Sequence, residues 1–189
     1  MKVEFIENTP TALRFNISGV DVDFVNALRR IIISRVKTFA IDKVTFYINT
    51  SAMFDEYIAH RIGLIPLITP SEGYDEKDEI LFNLDMEGPG TVYSKDLISS
   101  DKNVKVAFDD IPIIKLAEGQ RLKLDGKAIM GSGSKSAKFQ PGLATYEKKG
   151  EQNYEFYIET FGQMSAREIL NKALEIIEED LKATEKELK

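Results

Sequence analysis

The residues of this sequence that have the chemistry for catalysis are few and scattered. His60 is the only histidine, and the chain contains no cysteine. Thiolate metal sites, disulfides and cysteine nucleophiles are therefore excluded, and a Ser-His-Asp triad has only one possible position for its base. Because His60 has no candidate nucleophile or second metal ligand near it, we interpret it as a structural residue.

Other patterns that could serve a reaction also favour a plainer interpretation. Residues 131–136 superficially resemble a phosphate-binding loop but lack its spacing between the first glycine and the Gly-Lys-Ser/Thr triplet. The acidic stretches 109–110 and 178–180 have the residue types that bind magnesium or exchange protons. Adjacent strand residues point to opposite faces, and the second stretch falls on an exposed helix face, so both indicate solvated charge. We expect no intrinsic catalytic site.

The strongest candidates for binding are Arg29 and Arg30, in the stretch 21–40. Apolar residues recur there at three- and four-residue steps, the period of one helix face. They are Phe24, Ala27, Leu28, Ile31, Ile32 and Val36. This pattern predicts a helix that buries one face. Asn26, Arg30 and Lys37 would share another face, with Arg29 beside them.

Two further features bear on this helix. Asp21 and Asp23 lie at its start, where a carboxylate can cap exposed amides and meet the positive end of the helix. The isoleucines at 31–33 favour a strand instead, because they are β-branched. A length near ~16 residues is typical of a helix and long for a strand. We therefore predict a helix.

The composition is that of a globular protein with an acidic balance. The 189 residues, 43% hydrophobic and 30% charged, suffice for one large domain or two small ones. A net charge of −6 argues against independent nucleic-acid binding, since neutralising phosphates needs a surplus of Lys and Arg. No apolar stretch approaches the ~20 residues that span a bilayer, and the N-terminus lacks signal-peptide features. We expect a cytoplasmic protein without membrane contact.

Alternation of apolar and polar residues predicts strands along most of the chain. They cover 3–6, 12–17, 44–48, 80–86, 104–108, 111–116, 121–124, 128–130, 143–146 and 154–158. Turn residues separate them, among them Asp125-Gly126 and 148–151. A second helix is predicted at 52–62, capped by Thr50 or Ser51 and ended by Gly63 in a left-handed conformation. This order indicates an α+β fold rather than alternating β and α units.

The last predicted helix starts at Ala166 and carries an apolar stripe. Ser165 and Glu168 have the spacing of a capping box. Four apolar residues then follow the spacing of a coiled-coil seam, four, three and four. They are Leu170, Leu174, Ile177 and Leu181. The helix offers more apolar surface than a small sheet needs, which indicates a partner.

Three motifs together resemble the α-like assembly subunits of multisubunit RNA polymerases. Residues 26–31, NALRRI, resemble the first-helix signature of that family. Residues 56–67, EYIAHRIGLIPL, resemble the AHRLGLIPL motif of its archaeal and eukaryotic members. Residues 137–142, AKFQPG, are similar to the HAKWxP segment, with Phe139 at the aromatic position and Ser136 where His is common. Their order and spacing match over essentially the whole chain, and the resemblance is greatest to the archaeal members of the family.

The resemblance implies a discontinuous α-type dimerisation domain, residues 1–45 and 152–189, around a β-rich insert domain, residues 46–151. In this family the dimerisation domain pairs with a smaller α-like protein, subunit L in archaea. That heterodimer is the assembly platform for the two largest, catalytic subunits in transcription, and the small subunits N and P also attach. The chain would thus be a non-catalytic component of a DNA-directed RNA polymerase.

The resemblance also implies roles for particular side chains. The interface with the partner subunit would contain the apolar residues of the two terminal helices. They are Phe24, Leu28, Ile31, Ile32, Leu170, Leu174, Ile177 and Leu181. The interface with a large subunit would contain Asn26, Arg29, Arg30 and Arg61. Arg30 is the first choice there, through charge-assisted bonds to carboxylates.

One departure from the family concerns a cofactor. Many archaeal members hold an iron–sulfur cluster through cysteines, in a segment expected between residues 137–142 and the last strand. Here that interval is a short loop around 146–153 and the chain has no cysteine, so we expect no cluster.

Three alternatives remain. A self-assembling α-type homodimer would use the same helices symmetrically. An enzyme of unknown class is opposed by the lone histidine and the absent phosphate loop. A nucleic-acid-binding module is opposed by the acidic net charge.

Overall fold

The computed structural model describes residues 1–188 and confirms an α+β fold built from antiparallel strand pairs. The chain divides into two compact units. Unit 1 contains Met1–Lys37 and the chain from Ser132 onward, and unit 2 is Thr38–Gly131. The strands are β1 (Lys2–Asn8), β2 (Ala12–Ser18), β3 (Lys37–Asn49), β4 (Glu79–Glu87), β5 (Gly90–Tyr93), β6 (Ile98–Ser99), β7 (Pro112–Leu116), β8 (Arg121–Ser132), β9 (Gly142–Gly150) and β10 (Asn153–Thr160). The helices are α1 (Val22–Ser34), α2 (Asp55–Gly63) and α3 (Ala166–Glu187).

Unit 1 is a four-stranded sheet in the order β1-β2-β10-β9, against which α1 and α3 pack. Every second residue of β2 and β10 is buried, as the alternating pattern predicts. Phe15 and Phe156 lie opposite each other in the register, and their rings stack with centroids 5.3 Å apart. Both rings belong to the core that contains the buried residues of the two helices.

Helix α1 begins where the sequence predicts and ends earlier. Asp21 is the extended N-cap residue, but its side chain caps no amide and instead accepts a bond from Gln152 Nε2 at 3.1 Å. The helix ends at Ser34 and Lys37 opens β3, so the prediction that Lys37 shares a helix face with Arg30 is wrong. The physical reason is that 38–41 are four consecutive buried residues. A strand buried on both faces accommodates such a run, whereas a helix would expose part of it.

Unit 2 contains the sheet β3-β8-β4-β6, the separate pair β5-β7, and α2. Its core is distinct from that of unit 1, with Phe39, Phe82 and Leu124 fully or almost fully buried. Alternation of buried and exposed residues along β4 and β8 places one face of each strand in this core.

Three local predictions outside the helices are wrong. Asp125-Gly126 is not a turn but the centre of the single strand β8. A Cβ at Gly126 would lie 3.1 Å from Ile41 Cγ2, so this glycine serves close packing between strands. Residues 104–108 form only an isolated bridge from Val106 to Leu67. The predicted turn at 148–151 is mostly strand, because β9 continues to Gly150 and the chain reverses at Gln152, which has φ +49°.

The ends of α2 also differ from prediction. The helix starts at Asp55, with Phe54 as its N-cap residue, because Asn49 holds Ser51 and the Met53 carbonyl in a turn before it. Gly63 is the buried last residue of the helix and does not take a left-handed conformation.

The bounds of the two units differ from those expected for the two domains. The units divide after residues 37 and 131, whereas the sequence placed the divisions after 45 and 151. The largest difference is β9, which pairs with β10 along its whole length and so belongs to the sheet of unit 1. The early part of β3 belongs to unit 2, where Phe39 and Ile41 join the core.

Candidate partner interface

The scaffold of the candidate interface is α3, and its start is set by the predicted capping box. Ser165 Oγ accepts a bond from the backbone N–H of Glu168, and the Glu168 carboxylate accepts one from the Ser165 N–H at 2.9 Å. Two amides that the helix cannot satisfy internally are thereby bonded. The prediction of this helix start is confirmed.

The two halves of α3 differ in what covers them. All of its buried residues lie in the first eight positions, and they are Ala166, Ile169, Leu170 and Ala173. Beyond them Leu174 is 42% exposed and Leu181 is 66% exposed, with Ile177 half-buried between them. A helix of 22 residues is about 33 Å long, so roughly half of it extends past its own core with an apolar stripe uncovered.

The predicted apolar interface is therefore smaller than the sequence pattern suggested. Leu28 and Ile32 of α1 and Leu170 of α3 are at most 8% exposed and belong to the core of unit 1. The helix period places them on the same side as the other core residues, so they leave little surface for a second chain. Half-buried Phe24 and Ile31 remain accessible in part on α1. On α3 the accessible residues are Leu174, Ile177 and Leu181.

An ion pair that the sequence did not suggest joins the two helices. The Arg35 guanidinium donates to both carboxylate oxygens of Asp180, with Nη2 to Oδ1 at 2.9 Å. This hydrogen bond raises the pKa of Arg35 and lowers the pKa of Asp180. The two residues are 145 positions apart in the sequence, and Asp180 lies in the acidic stretch that we interpreted as solvated charge. Asp180 is exposed, as that interpretation expects, and the ion pair with Arg35 is an additional feature of it.

On the predicted cationic face of α1, one arginine is held by a side-chain hydrogen bond and the other is not. Asn26 Oδ1 accepts bonds from Arg29 Nε at 3.3 Å and Nη2 at 3.0 Å, so Arg29 is half-buried and oriented by its own helix. Arg30 is exposed, and its guanidinium makes no hydrogen bond or ion pair within residues 1–188. Of the two arginines, Arg30 is thus the one with all its donors available to another chain.

Arg61 lies in unit 2 and already has partners in the chain. Its Nε donates to the Ile113 carbonyl at 2.9 Å and its Nη2 to the Pro112 carbonyl at 2.5 Å. Those bonds attach α2 to the start of β7 and satisfy two of its backbone carbonyls. The predicted contact between Arg61 and a large subunit would compete with this local role.

A second accessible apolar surface lies beside α2 and was missed by sequence reasoning. It is a groove of about 730 Å³ that includes Phe54, Tyr57 and Ile114 in its lining. Phe54 is 71% exposed and Tyr57 is 64% exposed. His60 also lines this groove and is exposed, so it is not packed in a core. The aromatic character of Phe54 and Tyr57 is visible in the sequence, but their exposure is not.

The described residues offer no assembled metal site. Among residues 1–188 there is no group of three or more His, Asp or Glu side chains that could hold a metal ion, and the sequence has no cysteine. None of the helices in this part of the chain is long and apolar enough to cross a membrane.

Comparison with known proteins identifies the family of this chain. Residues 44–145 match the family model described as the RNA polymerase Rpb3/RpoA insert domain. The chain belongs to the Rpb3/RpoA family of RNA polymerase subunits. The family match covers most of unit 2 together with the start of β9.

Several archaeal members of this family are close relatives. DNA-directed RNA polymerase subunit Rpo3 of Thermococcus kodakarensis is 52% identical over 153 residues, which are 77% of this chain and 59% of that protein. Rpo3 of Methanocaldococcus jannaschii is 49% identical over 156 residues, 82% of this chain and 80% of that protein. Rpo3 of Pyrococcus horikoshii is 47% identical over 153 residues. The chain thus spans less than two thirds of the length of the Thermococcus relative.

Proposed function

We propose that this chain is a non-catalytic assembly subunit of an archaeal-type DNA-directed RNA polymerase. In this proposal unit 1 is the dimerisation domain and pairs with the small α-like subunit L. The resulting heterodimer is the platform for the two largest subunits, and the small subunits N and P attach to it. The Rpb3/RpoA family membership supports the proposal, as does the similarity to archaeal Rpo3 subunits of RNA polymerase.

The observation that carries the proposal is the uncovered second half of α3. Leu174, Ile177 and Leu181 repeat at the spacing of a coiled-coil seam, and Leu188 continues it seven residues further on. An exposed apolar stripe of this kind is costly in water, and a partner helix would bury it. A specific interface with a partner would need to bury about 1,200–2,000 Å² in total.

Measuring the mass of the purified chain, alone and mixed with subunit L, tests the pairing. The chain mass is 21.3 kDa. We expect light scattering after gel filtration to give a one-to-one complex with subunit L. A stable dimer of the chain that excludes subunit L would support the homodimer alternative, and a monomer that ignores subunit L would contradict the proposal.

Arg30 is proposed to hold a large subunit. Its guanidinium is exposed and has all its donors available, which suits bidentate bonding to a carboxylate. Replacing Arg30 with Ala should leave pairing with subunit L intact and weaken capture of the large subunits. Arg30→Lys is the matched control, since it keeps the charge and loses the planar fork, and it should recover part of the capture. Equal capture by all three proteins would contradict this role.

The complex is proposed to form without an iron–sulfur cluster. In the described chain the interval where a cluster segment was expected is the β9–β10 hairpin, with strand as far as Gly150 and only 151–152 between the strands. We expect the heterodimer with subunit L to form equally well under air and under reducing anaerobic conditions. Iron bound in stoichiometric amount would contradict this part of the proposal.

A further inference from the structure

The ion pair between Arg35 and Asp180 is a feature of unit 1 that the proposed function leaves unexplained. Exposed ion pairs contribute little to the stability of a fold, because water and salt screen them. About half of each of these two side chains is exposed. The pair nevertheless has a specific geometry, in which the planar guanidinium donates to both oxygens of one carboxylate. Two parallel bonds of this kind require one relative orientation of the segments that carry them.

The Arg35 end of the pair is fixed to the core of unit 1. Arg35 is the C-cap residue of α1, and its backbone N–H donates to the Ile31 carbonyl at 2.9 Å. The next residue, Val36, is fully buried in the core. The backbone N–H of Ser134 also donates to the Ser34 carbonyl at 2.9 Å. The backbone at Arg35 is therefore held by the helix, by the core and by a neighbouring loop.

The Asp180 end lies on the part of α3 that extends past the core. Ile176 and Ile177 are half-buried and pack against the core, whereas every residue from 178 to 188 is exposed. Asp180 is three residues after Ile177 and directly before Leu181, which places it at the edge of the apolar stripe. A helix end without buried side chains opens readily. The ion pair attaches this end of α3 to the fixed end of α1.

We propose that Arg35 and Asp180 are positioning residues that hold the second half of α3 in the orientation in which subunit L binds it. This inference rests on the proposed function and adds to it two residues outside the apolar stripe. A segment that is ordered before it binds loses less conformational entropy in the complex. The ion pair therefore raises the affinity for subunit L although neither of its side chains contacts the partner.

Direct binding of the partner by Arg35 is the less favoured role. Its Nη1 and Nη2 already donate to Asp180, so Arg35 would have to release that carboxylate before it could bond a partner carboxylate in the same way. If Arg35 bound the partner, removing the Asp180 charge would free the guanidinium and strengthen binding. The positioning role predicts that the same change weakens binding. The sign of the effect at Asp180 therefore separates the two roles.

The test measures the affinity of the full chain for subunit L by titration calorimetry. Asp180→Asn and Arg35→Gln each break the pair, and each should weaken binding about threefold to tenfold. The exchange Arg35→Asp/Asp180→Arg can form the pair in reverse and should recover part of the affinity. The matched control is Glu179→Gln, which removes an exposed charge from the adjacent position, on the side of α3 away from the stripe, and should bind as wild type does.

Amide hydrogen exchange of the free chain gives a second measurement, independent of binding. In Asp180→Asn the exchange should accelerate over residues 174–184, because the second half of α3 opens more often. The first half, which the core covers, should exchange as in wild type. Melting temperatures near that of wild type verify that the variants fold. Should Arg35→Gln melt much lower, Arg35→Lys replaces it, with a smaller loss of affinity expected.

Other results would overturn the inference. Equal affinity of wild type, Asp180→Asn and Arg35→Gln for subunit L would reject the positioning role and leave the proposed pairing standing. Stronger binding by Asp180→Asn together with weaker binding by Arg35→Gln would assign Arg35 to the partner interface instead. Failure of every protein to bind subunit L, wild type included, would contradict the proposed function and this inference with it.

Discussion

The two halves of α3 have the same apolar spacing and opposite surroundings. In the first half Ile169 and Leu170 lie in the core of unit 1, and in the second half Leu181 lies in solvent. A helical period specifies which residues share a face, but it does not specify which polypeptide covers that face. The first half therefore stabilises this chain, and the second half is available to stabilise a complex.

Removing a core side chain from the first half should have the largest effect on the isolated chain. Ile169 is fully buried, so Ile169→Ala should lower the free energy of unfolding by about 2–5 kcal/mol through lost burial and a cavity. The matched change Leu181→Ala, at a 66% exposed residue, should stay within about 0.5 kcal/mol. Urea unfolding of both variants measures the difference. Equal losses would mean that the second half is also packed in the free chain.

Removing the cap should have an intermediate effect confined to the first half. Ser165→Ala deletes the hydroxyl that accepts the Glu168 amide, and we expect a loss of about 1 kcal/mol in unfolding free energy. Amide exchange should accelerate most in the first turn of α3. Ser165→Asp is the control, since an aspartate can still cap, and it should retain most of the stability. Equal stability of the alanine and aspartate variants would contradict this role.

Removing the ion pair between Arg35 and Asp180 should have the smallest effect on the stability of the chain. This effect should depend on pH. The Arg35 bond lowers the pKa of Asp180 in the folded chain below its unfolded value. The pair therefore stabilises the fold above the unfolded pKa of about 3.9 and loses this contribution as pH falls through the folded pKa. Thermal melting of wild type and Asp180→Asn should differ slightly at neutral pH and converge toward pH 3. A difference that grows in acid would contradict this assignment.

Much of the fold follows from the sequence because its strongest signals are local. Alternation in β2, β4 and β10 and the capping box of α3 were predicted, since each depends on neighbouring residues. The end of α1 and the start of α2 were not predicted. Burial of 38–41 in the core determines the end of α1, and the turn that Asn49 stabilises determines the start of α2. Asp125-Gly126 has the composition of a turn, but it serves packing against Ile41, which is distant in sequence.

The candidate interface was predictable only in outline. The apolar stripe of α3 and the arginines of α1 are readable from spacing, while the burial of Leu28 and Leu170 depends on how the sheet covers them. Long-range polar contacts had no signal in the pattern. Arg35 meets Asp180 from 145 positions away, and Arg61 bonds carbonyls 51 and 52 positions away.

The affinity of the chain for subunit L, compared between Leu181→Asp and Ala183→Asp, tests the central claim most directly. Both residues are exposed in the free chain and lie on opposite sides of α3, so neither change should alter its melting. We expect Leu181→Asp to weaken binding about a hundredfold, because a carboxylate would be buried in an apolar contact, and Ala183→Asp to leave the affinity near that of wild type. Wild-type affinity in Leu181→Asp would contradict the account.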